Sequence, residues 1–93
     1  MPPPRIRRRV VVHGRVQGVW FRSATREEAR RLGADGWVRN RADGTVEAVF
    51  EGAPGDVLAL VGFCQRGPGT ARVERVEAFE EEPEGLAGFR VLP

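Results

Sequence analysis

The sequence contains no lysine. All fifteen of its positive charges are arginine, set against ten Glu and three Asp, for a formal net charge of +2 at pH 7. So small an excess is compatible with an anionic substrate but argues against a nucleic-acid binder, whose footprint is a strongly basic face. There is one cysteine, Cys64, which excludes an internal disulfide framework, and with a single His it cannot supply the ligands of a zinc site at the usual spacings. No apolar run is long enough to span a membrane, and the first residues lack the apolar core of a signal peptide, so a cytoplasmic protein without a membrane partner is expected. Internal repeats and low-complexity blocks are also absent. Ninety-three residues then make one domain with a single modest core, with residues 1–4 as a stiff extended tail.

What is present alternates between the two hydrophobic periods. Ile6, Val10 and Val12 mark one face of a first strand, and Val11 makes it a central one buried on both sides. His13 closes that strand as a packed or hydrogen-bonded residue. The preceding Arg7-Arg8-Arg9 reads as a solvated lead-in. Phe21, Thr25, Glu28 or Ala29, and Leu32 repeat at helical spacing, and Gly33 is placed to end that helix. Residues 36–40 and 45–51 form two strands, joined by Asp43-Gly44, the strongest short hairpin signal. Pro54 and Asp56 suit the first turn of a second helix, whose apolar face is Val57, Leu60, Val61 and Cys64 and whose stop is Gly67-Pro68-Gly69. The alternation from Ala71 to Ala78 slips phase between Val73 and Val76, which calls for a bulge near Glu74-Arg75. Glu80 to Gly85 reads as an acidic, solvated turn, and residues 89–92 as a short final edge strand. The order is strand, helix, strand, strand, helix, strand, which is the βαββαβ order of a ferredoxin-like α+β sandwich. Two helices cover one face of a mainly antiparallel sheet, and the short C-terminal strand is additional.

The chemistry concentrates between the first strand and the first helix, in His13-Gly14-Arg15-Val16-Gln17-Gly18-Val19-Trp20-Phe21-Arg22. Two glycines allow a tight turn that aims several backbone N–H groups at one point, and the helix start aims its own N–H groups and positive dipole end the same way. Arg22 adds a forked cation suited to phosphate oxygens. The stretch is an anion cradle. It carries no Lys, Ser or Thr of a nucleotide-binding P-loop. A cysteine phosphatase would need Arg six residues after Cys64, where Thr70 stands, and a haloacid-dehalogenase motif would need Asp at Arg41. In the sandwich the first strand neighbours the third, so the loop can lie near the end of the second strand that carries Asn40, a neutral hydrogen-bonding group beside the cradle. RNA-recognition domains share the fold but place an aromatic-rich motif on the third strand, which Thr45 to Glu51 does not match.

Residues 14–22 and 36–47, with the later Gly67-Pro68, Ala71 and Val73, resemble the two signatures and the remaining pattern of the acylphosphatase family over nearly the whole chain. The resemblance implies hydrolysis of a small acyl phosphate to a carboxylate and inorganic phosphate, with no cofactor and no metal. It implies that the backbone N–H groups of Arg15, Val16, Gln17, Gly18 and Val19 bind the phosphoryl oxygens, that Arg22 holds the same group, and that Asn40 orients the attacking water. Inorganic phosphate is then both product and competitive inhibitor. The expected working form is a monomer with no nucleic-acid partner.

Overall fold

The computed structural model describes residues 4–93; the tail expected at 1–4 therefore lies almost wholly outside the described residues. The elements follow the expected order: β1 Ile6–Arg15, α1 Phe21–Leu32, β2 Asp35–Asn40, β3 Val46–Gly52, α2 Pro54–Arg66, β4 Arg72–Glu81 and β5 Phe89–Val91. They make one five-stranded sheet in the order β4-β1-β3-β2-β5. All neighbours are antiparallel except β5, which runs parallel to β2. Two helices lie on one face, so the ferredoxin-like α+β sandwich with an extra C-terminal strand is the observed fold.

The sheet's two faces have different chemistry. On the helix side, Val10, Val12, Val38, Val46, Ala48 and Phe50 pack against Phe21, Ala29, Val57, Leu60 and Cys64 in one buried cluster. Thr25 sits on the buried face of α1 because its hydroxyl donates to the Phe21 carbonyl at 2.8 Å, which removes the penalty of burying it. Phe89 of β5 stacks on Phe50 with ring centroids 5.8 Å apart and closes the core at the sheet edge.

The other face carries alternating Arg and Glu, and here two sequence expectations are corrected. Arg7 is not a solvated lead-in: it is 7 % exposed, and its guanidinium donates to Glu51 at 2.8 Å and Glu81 at 2.9 Å. The acidic run is not wholly a turn either, since β4 continues to Glu81, whose carboxylate also accepts from Arg9 at 2.8 Å. Both errors have one cause. A charge run read locally looks solvated, whereas period-two geometry puts Arg7 and Arg9 on one face beside the carboxylates that β3 and β4 present there.

The predicted bulge is present. His13 pairs with Arg75 and Gly14 with Val73, leaving Glu74 as the extra residue of β4. Gly14 holds this site open at φ 130°, because a Cβ there would collide with the Arg72 carbonyl oxygen. β1 consequently runs two residues beyond His13 before it turns, and His13 itself is hydrogen-bonded, with Nε2 2.6 Å from Glu77 Oε1.

Candidate active site

Residues 16–20 form the connection from β1 to α1, and three features give it its shape. Val16, 1 % exposed, anchors the start of the loop in the core. Gly18 takes φ 73° and a Cβ there would meet nothing within 4 Å, so glycine is needed for the backbone conformation and not for space. Gln17 then ties the loop down: its Nε2 donates to the Arg41 carbonyl at 2.8 Å and the Thr45 carbonyl at 2.9 Å. Both acceptors belong to the β2–β3 hairpin turn. That turn is itself fixed by Asp43, whose carboxylate accepts from the Thr45 N–H at 3.0 Å and hydroxyl at 2.6 Å. The Thr45 bonds hold the Asp43 carboxyl below its ordinary value.

The helix that follows is left open at its positive end. Trp20 is the N-cap but provides no side-chain hydrogen bond, and the first turn of α1 contains no acidic residue. α2, by contrast, has Asp56 in its first turn. The first N–H groups of α1 are therefore free of a capping side chain and their partial positive charge is not neutralised within the turn. Arg22 stands in this turn, half-buried, with no side-chain hydrogen bond or ion pair among the described residues, although most arginines of the sheet face are paired. It lines a hollow of about 370 Å³ together with Val16, Gly18, Trp20, Phe21 and Arg26.

Asn40 ends β2. It pairs with Val46, which in turn pairs with Val12, so the three lie in one row across the sheet and face the helix side. Gln17 reaches the residue next to it, Arg41, and brings the loop to this end of β2. The Asn40 Oδ1 atom is buried and is the one buried side-chain polar atom among the described residues without a hydrogen-bond partner. A buried amide oxygen left unpaired carries a free-energy penalty of about 1–3 kcal/mol, so a group able to donate a hydrogen bond to it would be favoured at this position.

Of the residues singled out in the sequence, Arg15 ends β1, paired with Arg72, while 16–19 lie in the loop that follows, Arg22 in the first turn of α1 and Asn40 at the neighbouring strand end. Cys64 is buried on α2, and that burial pushes its thiol up to about 12, so it stays protonated and inert at neutral pH. Ser23 has no side-chain hydrogen bond among the described residues that would activate it and lines the same hollow as Arg22. Sequence reasoning assigned Gln17 only a backbone N–H; the side-chain bridge to the hairpin was missed, because nothing local in the sequence points from residue 17 to residues 41 and 45. Arg26 was missed although its i+4 spacing from Arg22 puts both on one helix face.

A family model described as Acylphosphatase matches residues 8–91. Acylphosphatase of Thermococcus kodakarensis is 58 % identical over 88 residues, covering 95 % of this chain and 97 % of its own length. The Rubrobacter xylanophilus acylphosphatase is 62 % identical over 89 % of this chain and 76 % of its own. Among solved structures, the acylphosphatase of Bacillus subtilis superposes with a TM-score of 0.91 at 34 % identity, over 95 % of this chain and 99 % of that one. A short Gly-rich loop recurs in unrelated folds, but likeness that extends from β1 to β5 in sequence and backbone together does not arise from a loop alone: the chain belongs to the acylphosphatase family.

Proposed function

We propose that this family member hydrolyses acyl phosphates, with the phosphoryl group held by the backbone N–H groups of Arg15 to Val19 and by Arg22, and the attacking water oriented by Asn40. The observation that carries the reading is the unpartnered, buried Oδ1 of Asn40 at the strand end tied to the loop by Gln17. An amide oxygen there accepts a hydrogen bond from water and so turns the water oxygen's lone pair toward a phosphorus seated in the cradle. Water oxygen forms the new bond to phosphorus as the bond from phosphorus to the acyl oxygen breaks. The carboxylate leaves with that electron pair, and the water's proton passes to the substrate's own phosphoryl oxygen.

Little more is demanded of the protein. Charge in a phosphoryl-transfer transition state is spread over the equatorial oxygens, so fixed donors and one guanidinium fork stabilise it without covalent chemistry. A carboxylic acid has a pKa of about 4, so the leaving group departs as an anion and needs no protein acid. The chain acts as a monomer on a small molecule, without a cofactor or a nucleic-acid partner, and inorganic phosphate competes for the same cradle.

The test is hydrolysis of benzoyl phosphate in the presence of chelator, with inorganic phosphate added as competitor. Turnover that persists in chelator and is inhibited competitively by phosphate is the expected result; absence of turnover by folded protein would sink the assignment.

A further inference from the structure

Trp20 is the only non-glycine residue with positive φ among the described residues, at φ 64° and ψ 17°. A bulky side chain in the left-handed region is an outlier that costs about 1–2 kcal/mol, and glycine would remove the strain. Packing does not offset that cost, because Trp20 is 82 % exposed, the most exposed large apolar residue described. Capping does not offset it either, since the indole makes no hydrogen bond to α1. Neither folding nor local geometry accounts for a tryptophan here, but its position does. The hollow of about 370 Å³ that contains Gly18 and Arg22 is walled by Trp20, Phe21 and Val16 and extends to Val91 of β5. A volume of that size lies at the small end of ligand sites and accommodates a phosphoryl group with one ring-sized appendage.

We propose that Trp20 is the platform for the substrate's acyl group, and that the chain favours acyl phosphates whose acyl part is flat and apolar over small aliphatic ones. This rests on the acyl-phosphate reading above. Arg22 and the loop fix the phosphoryl end, the carbonyl follows, and the acyl substituent extends from the hollow along the indole face, with Val91 opposite. Positive φ at Trp20 puts its side chain at the mouth of the cradle instead of in the core.

The experiment compares kcat/KM for benzoyl phosphate and acetyl phosphate in wild type, Trp20→Gly and Trp20→Phe. Loss of an aromatic contact should lower the benzoyl-to-acetyl ratio about tenfold in Trp20→Gly, mainly through KM for benzoyl phosphate, while Trp20→Phe keeps most of it. Phenylphosphonate should compete more tightly than inorganic phosphate against wild type and lose that advantage against Trp20→Gly. Because the strain is relieved, Tm of Trp20→Gly should not fall, which separates a lost platform from a damaged fold. A ratio unchanged in a variant that still turns over overturns the platform and leaves the hydrolase reading intact. Wild type that hydrolyses neither substrate overturns both.

Discussion

At the scale of the residue, the proposed reaction assigns different work to two side chains, and their variants should fail differently. Arg22 is half-buried and has no counter-ion among the described residues, so in the proposed reaction it would meet the phosphoryl group in ground and transition state alike. Arg22→Ala should raise KM and lower kcat together, with kcat/KM down by about 10³-fold, and Arg22→Lys should recover only part of that because an ammonium cannot reproduce the fork. In the same proposal Asn40 would contact only the nucleophile. Asn40→Ala should lower kcat by about 10²-fold or more with KM nearly unchanged, as expected for a contact made in the transition state. Steady-state kinetics on benzoyl phosphate reads both splits, and full activity in Asn40→Ala would remove its role. Asn40→Ala should also fold at least as stably as wild type, since it removes a buried oxygen that has no protein partner among the described residues. Thermal unfolding without ligand checks that sign. A stability–activity trade of this kind is expected of a group kept for catalysis and not for the fold.

At the scale of the element, the site depends on one side chain that joins two loops. Gln17 donates twice to hairpin carbonyls, and without it nothing else described bonds the 16–20 loop to residues 41–45. Gln17→Ala should cost about 1–2 kcal/mol of stability and lower kcat/KM by about tenfold, because the cradle and Asn40 lose their fixed separation. Denaturant melts and kinetics on the same preparation measure the two effects. Most element positions are legible for a physical reason: α1 and α2 each bury one face, and β1 and β3 turn their apolar residues to the helix side at period two, so burial imposes a period that local sequence displays. The bulge opposite Gly14 was legible too, as a break in that period. The Arg/Glu face was not, since the partners of Arg7 lie 44 and 74 residues away and charge alternation carries no signal of depth. The long motifs point to the loop residues, whereas Gln17's bridge is a pairing between loops that no periodicity records.

At the scale of the whole molecule, the sheet separates two kinds of interior, an apolar one under the helices and an ionic one on the opposite face, and the second makes stability depend on pH. Glu51 is fully buried there. Burial alone would push its carboxyl up, but N–H donation from Glu84, the Arg7 guanidinium and N–H donation from Leu86 together outweigh it, so Glu51 sits below the ordinary carboxylate range. A carboxyl depressed on folding is protonated more readily in the unfolded chain, so its contribution is complete above the unfolded value of about 4.3 and is lost as pH falls through the lower folded value. Glu51→Gln removes the charge and turns an amide NH₂ toward backbone N–H donors and Arg7. At pH 7 it should cost about 3 kcal/mol, equivalent to a Tm lower by roughly 12 °C or more. The difference between wild type and variant should narrow steadily from about pH 5 downward, which isolates Glu51 from the exposed carboxylates that titrate in both proteins. Because the pair is buried, the pH 7 difference should survive about 1 M salt, where an exposed pair such as Arg5–Asp35 contributes little. A gap that stayed constant down to about pH 3, or vanished in salt, would mean that Glu51 does not hold the 84–86 segment through its charge.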